Sequence, residues 1–463
     1  MILRELVERF ESKAPFSTMF RATLENILAE DRLNAIFNAT AERQRTGELL
    51  FSTVADIMGS VACRMQPSVH AAYQARIEEI SVTAKAIYDK LQRTEPQICR
   101  AVLSDCSRRM SDIVEHLGDT PPDLLPGYHV KILDGNHLRR TERRIGELRE
   151  LNAAPLPGHA LVVLDPRLHL AVDVFPCEDG HAQERRLLPS VLETVKPFDL
   201  WIADRNFCTT GFVFGIMKRH AYFAIRQHGQ SLRYELVGKR TRVAATDTGI
   251  IYEQTIELQD GEGKTKRIRR ITVHLYQATR DGDVEIHILT NLPKKVTAVR
   301  IAELYRKRWG IETAFQELAQ NLHGEVVTLG YPKAALFAFS MALLAYNVYS
   351  VMQAALRAAH GTEKIDNEFS MYYLAEEVAH TYAGLAIAIP SSYWKKQYAS
   401  LTPAQMACEL VRIAKSVNLR RYRKHKRGPK KPAKKFNKKY RGHVSTARVL
   451  AQRNSESTKT LTC

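Results

Sequence analysis

Apolar residues recur at helical spacing through the first quarter of the chain. Phe20, Leu24, Ile27 and Leu28 make one stripe, and Ile98, Val102, Cys106, Met110, Ile113 and Leu117 make another. Residues 1–118 therefore read as helices, closed by Gly118 and the linker DTPPDLLPG. The period then changes to two. HVKILD (129–134) puts Val130 and Ile132 on one face and ends in Asp134, while ALVVLD and LHLAVDVF, joined around the turn residues Asp165 and Pro166, predict a hairpin. LLPSVLETVK predicts a helix, LWIA (200–203) a buried strand ending in Asp204, residues 209–220 a helix, and YFAIR (222–226) another strand.

Residues 229–292 form a different block. Tyr252, Ile256 and Leu258, then Ile271, Val273 and Leu275, then Val284, Ile286 and Ile288 alternate, with Asp260-Gly261 and Asp281-Gly282 between the runs, as in a β-meander. Helical pattern returns from Lys295 to about Ala359 and again over 365–416. Within it, ALFAFSMALLAYNVYSVMQAAL (335–356) carries no charge and is long enough to span a bilayer. Ser340, Asn347, Ser350 and Gln353 interrupt it and no other segment resembles it, so a core helix is expected, with Asn347 satisfying a neighbouring backbone group. Residues 417–463 lack core-forming periodicity and are expected to be disordered alone.

Hydrophobic content of 45% fits a globular protein of several domains. The 68 Lys and Arg against 50 Asp and Glu give a net charge of +18, unevenly spread. Fifteen of the basic residues lie between Val417 and Arg453 with no acidic one among them, so everything else carries 18 − 15 = +3. A nearly neutral body with a basic tail points to a polyanion, first of all nucleic acid. Arg420, Arg421, Lys430, Lys431, Lys434 and Lys435 are candidate phosphate contacts in that tail. The seven scattered cysteines form no CxxC pair, and His181 with Glu184 lacks a third zinc-spaced ligand. Reduced thiols and an N-terminus without an apolar signal region fit a cytoplasmic protein.

Asp134 in ILDGNH and Asp204 in WIADRNF stand at strand ends, where α/β sheets build their sites. Either alone is equally a helix cap or turn former. Tyr305 and Arg308 lie seven and four residues before Glu312, so all three share one helical face. Alone, Arg308 and Glu312 make an ordinary (i, i+4) ion pair.

Taken together, DGN at 134, DRNF at 204 and Y-x2-R-x3-E at 305, 308 and 312 resemble the DDE transposases of the IS4 type. The likeness runs from about residue 125 to 350. It implies an α/β fold: a ribonuclease-H-like catalytic core in two parts (125–228 and 295–360), split by a β-rich insertion (229–294). An N-terminal helical, DNA-binding domain (1–120), a C-terminal helical region (361–416) and a basic tail (417–463) flank the core. The resemblance makes Asp134, Asp204 and Glu312 catalytic ligands of two Mg²⁺ ions, with Mn²⁺ an alternative, and Tyr305 and Arg308 contacts to DNA phosphates. Such ions sit ~3.5–4 Å apart and favour carboxylate oxygens. The implied partners are double-stranded DNA, as element ends and target, and a second copy of the chain, with no membrane.

Two departures stand out. The family signature continues with x6-K, and this chain has Ala319, leaving Gln316, Gln320 or Lys333 to replace that contact. Some members stack a flipped base on a Trp after the insertion; here His287 or Tyr276 would have to serve, because no Trp lies between Trp201 and Trp309. Trp309 is expected as a core anchor, and His137 as a locally bonded residue beside Asp134. A DNA-binding protein that no longer cuts is the rival reading.

Overall fold

A computed structural model describes residues 2–118, 121–229, 232–279, 282–425 and 442–460. Its centre is a mixed nine-stranded sheet flanked by many helices. The strands are β1 (His129–His137), β3 (His159–Asp165), β4 (Leu170–Cys177), β5 (Asp199–Ala203), β6 (Tyr222–Arg226), β7 (Tyr234–Ala245), β8 (Gly249–Gln259), β9 (Thr265–Leu275) and β10 (Glu285–Thr290). A short β2 (Ala154–Leu156) pairs apart from them with β11 (His443–Ser445). The large sheet runs in the order β4-β3-β1-β5-β6-β10-β9-β8-β7. Strands β1, β5 and β6 are parallel neighbours, and β3, β4, β10, β9 and β8 pair antiparallel.

The central strands are covered on both faces. In β5, Leu200 and Ile202 join one hydrophobic cluster while Trp201 and Ala203 join the other. That is why LWIA reads as continuous apolar sequence. The expected 165–168 turn closes the β3–β4 hairpin, with Asp165 Oδ1 accepting from the amides of Arg167 and Leu168 (2.8 and 3.1 Å). Beyond β6 the strands of residues 229–292 continue the same sheet, because β10 pairs with both β6 and β9. Strand β7 has no counterpart in the alternating runs: its YELVGKRTRVAA is largely exposed and basic, the composition of a protected sheet edge.

The N-terminal helices, one face of the sheet and the C-terminal helices share one hydrophobic cluster. At its middle lies the helix Pro332–His360, with 100% of its most apolar window buried. Asn347 within it accepts from the Ala171 amide (2.7 Å) and donates to the Ala171 carbonyl (2.8 Å), the expected local satisfaction. This is the one helix among the described residues long and apolar enough to cross a membrane.

Residues 442–460, expected to be disordered, are built into the fold. The β11 backbone pairs with β2, Ser445 and Thr446 are fully buried, Ser445 Oγ accepts from the Gly180 amide (3.1 Å), and a helix spans Thr446–Thr460. Partners distant in sequence supply what local periodicity lacks.

Candidate active site

The register of two parallel strands builds the acidic site. Leu133 lies opposite Ala203, so Asp134 and Asp204 are the next residues on neighbouring strands. Strand β1 does not end at Asp134 as expected. It continues to His137 against β3, while β5 turns into a 3-10 turn at Arg205–Phe207 and leaves one side of Asp134 unpaired. The sheet opens where the two carboxylates stand.

The third carboxylate arrives on a separate helix. The segment expected to be one helix from Lys295 is two, Ala298–Arg306 and Trp309–Asn321. Bonds from Arg308 N to Tyr305 O (3.0 Å), Gly310 N to Lys307 O (2.9 Å) and Ile311 N to Arg308 O (3.2 Å) tighten the chain between them. Glycine at 310, a poor helix former, lies in the first turn just after that break. Tyr305 thus closes the first helix, and Arg308 caps the second, with Glu312 in its first turn.

Arg308 ties the parts together. Its Nη1 donates to Asp134 Oδ2 (3.1 Å) and its Nη2 to Glu312 Oε1 (2.7 Å), and its side chain is 11% exposed. Burial and the nearby carboxylates of Asp204 and Glu184 push the Asp134 carboxyl up to about 6, against the pull of Arg308 and the Gly135 amide. Burial also opposes the charge on Arg308, but Tyr305, Asp204, Asp134 and Glu312 together hold it above its ordinary range. Burial and then the Asp204 charge push the Tyr305 phenol up. The Tyr305 hydroxyl and Asp204 Oδ1 are buried without a hydrogen-bond partner.

A fourth carboxylate, Glu184, was weighed in sequence only with His181 as a zinc ligand and set aside for want of a third. Gly135 admits it, since a Cβ there would lie 1.9 Å from Glu184 Oε1. It accepts from Asn206 Nδ2 (2.5 Å) and lies 3.5 Å from His137 Nδ1, a contact to a distant element and not the local bond expected of His137. The glycine after Asp134 and the His at 137 were the available signals.

Other candidates are dispersed. Lys333 acts on Glu178, beyond the end of β4. Arg420 is exposed, and Arg421 donates to the Lys13 carbonyl (3.3 Å), in a separate network with the first helix. Lys430, Lys431, Lys434 and Lys435 lie outside the described residues. Trp309, expected in the core, is 48% exposed; Ile311 fills that role at 0%, because the helix break turns Trp309 outward. Tyr276 is 58% exposed, and His287 bonds Thr272 Oγ1 (2.9 Å). Gln316 and Gln320 are exposed, and the cation at Ala319 is one that sequence did not suggest: Arg64 Nη2 donates to the Ala319 carbonyl (3.3 Å).

Among the described residues no three His, Cys, Asp or Glu side chains converge closely enough to hold a metal ion. The donor chemistry nonetheless suits a hard divalent cation, with the unpartnered Asp204 Oδ1 beside the charge-strained Asp134. Glu312 meets Asp134 only through Arg308, whose guanidinium bridges the two carboxylates.

These features define an α/β protein with an arginine-bridged acidic site where parallel strands of a mixed sheet end. Residues 131–348, a little under half of the chain, match the family described as "Transposase DDE domain", a match that supports a DDE-type transposase. It is also 31% identical over 125 residues to "Putative transposase y4zB" of Sinorhizobium fredii (strain NBRC 101917 / NGR234). That alignment covers 26% of this chain and 33% of the relative, so the chain spans about a third of the relative's length.

Proposed function

We propose that the chain is an IS4-type DNA transposase that cuts and joins the ends of a mobile element by phosphoryl transfer. The observation that carries this reading is the side-by-side placement of Asp134 and Asp204 by the Leu133–Ala203 register, with Glu312 drawn to them by Arg308. The strand order β4-β3-β1-β5-β6, with its three parallel members, supports a ribonuclease-H-like core, and β7 to β9 occupy the place of the insertion.

Asp134, Asp204 and Glu312 are the residues that would hold Mg²⁺ or Mn²⁺. When bound, two such ions supply activation of the attacking oxygen and charge stabilisation at the leaving one. The residues of the chain do the rest. Arg308, relieved of its carboxylates, presents a two-pronged donor to a phosphate. Tyr305 adds an unspent hydroxyl donor beside it. Water attacks the phosphorus at the element end, the bond to the 3′ oxygen breaks, and that 3′-hydroxyl later attacks a target phosphodiester in the same site. Handling two ends together calls for two copies of the chain. The N-terminal helices serve recognition of the ends, and the basic tail holds phosphates without reading sequence.

The test is cleavage of a supercoiled plasmid carrying the element's own ends, with and without Mg²⁺, by the wild type and Glu312→Gln. Metal-dependent cutting at the ends that the variant lacks is expected. Binding without cutting in both Mg²⁺ and Mn²⁺ would sink the reading in favour of a silent DNA-binding protein.

A further inference from the structure

A cavity of about 230 Å³ adjoins the acidic site, lined in part by Arg64, Asn136, Arg139, Ala319, His323 and Glu325. Two walls come from the elements that carry the carboxylates. None of Asp134, Asp204 and Glu312 lines the cavity; Asn136 stands two residues beyond Asp134, on the same face of β1 and about 7 Å away. Ala319 stands seven residues beyond Glu312, on the same face of its helix and about 10 Å further along.

The third wall comes from the N-terminal helices. The helix Phe51–Ala62 ends with Arg64 in a left-handed conformation (φ 59°), fixed by the bond from Arg64 N to Val61 O (3.0 Å). The His323 amide donates to the Ala62 carbonyl (2.7 Å), fastening the end of this helix to the segment that follows the Glu312 helix. The exposed Arg64 guanidinium is thereby carried to Ala319, where the helix has no cation of its own.

The charges leave a positive balance. Glu325 is already engaged by Arg139, whose Nε lies at 3.1 Å and whose amide donates at 3.0 Å. Asn136 Nδ2 is buried and faces the Glu325 carboxyl without reaching hydrogen-bond geometry. Arg64 has its single bond to the Ala319 carbonyl, an acceptor that a stronger anion displaces. Burial, with Arg64 a smaller contributor, holds the His323 imidazole below its ordinary range, so it is neutral near pH 7.

We propose that this cavity binds a backbone phosphodiester of the strand held at the carboxylates, with Arg64 as its cation and Asn136 Nδ2 as a neutral donor. The inference rests on the reading of the chain as a DNA transposase and adds to it a specific contact from the N-terminal helices.

The test uses the full chain and a blunt duplex of about 40 base pairs, with Ca²⁺ present, and measures affinity by fluorescence anisotropy across NaCl concentrations. Arg64→Gly removes the guanidinium and keeps the left-handed backbone, Arg64→Asn is a second variant tolerant of it, and Arg64→Lys restores charge. Expected are a loss of affinity of about tenfold in the first two variants and a salt slope shallower by about 0.9, both recovered in the Lys variant. Wild-type affinity and slope in Arg64→Gly or Arg64→Asn, with metal-dependent plasmid cutting intact, overturn the pocket and leave the transposase reading standing. A wild type that neither cuts nor binds the duplex overturns that reading and the pocket with it.

Discussion

Arg308 Nη1 lies 3.1 Å from Asp134 Oδ2 across a separation of 174 residues, and the same guanidinium takes Glu312 with its other nitrogen. Its positive charge joins two acidic groups that would otherwise repel. A divalent cation and Arg308 therefore compete for the same oxygens. Arg308→Gln is expected to bind Mn²⁺ about tenfold more tightly by calorimetry, while melting at a lower temperature than the wild type in chelator. Weaker Mn²⁺ binding in the variant would mean that Arg308 positions the carboxylates for metal and does not exclude it.

Asp134 makes stability depend on pH. Its folded carboxyl titrates at about 6, above the ordinary 3.8, chiefly because of burial. Between those values the folded chain holds a proton that the unfolded chain has lost, so stability falls as pH rises from about 4 through 6. Above 6 the cost is complete, on the order of 2–3 kcal/mol. Asp134→Asn is expected to raise the melting temperature relative to wild type at pH 7.5, with the gain vanishing near pH 4. Melting curves of both proteins across that range check this. A constant difference at all pH values would rule out the Asp134 titration as its source.

How far the sequence could be read follows from which interactions are local. YFAIR at 222–226 and the β3–β4 hairpin were legible because alternation and turn chemistry act within a few residues. Asp204 was legible as a strand-end residue and Asp134 as a site candidate, although β1 runs on to His137; their adjacency depends on the β1–β5 register, which no local pattern encodes. The place of Glu184 beside Asp134, and Arg64 altogether, were missed because each comes from an element distant in sequence. The exposed Trp309 was misread because the helix break at Lys307–Arg308 rotates it away from the face that Ile311 fills. Strand β11 was hidden in a basic tail because its stability lies in β2 and in the buried Ser445 and Thr446.

Asn347 tests the buried helix. Its side chain bonds both the amide and the carbonyl of Ala171, deep in the core, and its exposure is 0%. Asn347→Leu leaves a buried donor and acceptor unmatched, each costing about 1–3 kcal/mol. A loss on the order of 2–5 kcal/mol in urea denaturation is expected, with the unfolding slope unchanged. A neutral or stabilising effect would mean that the Ala171 backbone finds other partners and that the helix packs differently.

The basic run beyond His425 should act through charge and number. On its N-terminal side the His425 ring meets Tyr373 at 6.0 Å, and on its C-terminal side the Ala154 amide donates to the Gly442 carbonyl (3.2 Å). Residues at both ends of the run are thus fixed to the folded body. Each phosphate neutralised contributes about 0.9 to the dependence of log affinity on log salt, so four engaged lysines contribute about 3.6. Replacing Lys430, Lys431, Lys434 and Lys435 together by Gln should lower the slope by up to that amount. Affinity for unrelated duplexes should fall as much as affinity for the element's ends, because phosphate contacts carry no sequence information. Anisotropy titrations with both duplexes at several salt concentrations make the comparison. A slope unchanged from wild type would place the run's positive charge off the DNA path, and a loss confined to the element's ends would instead give the lysines a part in recognition.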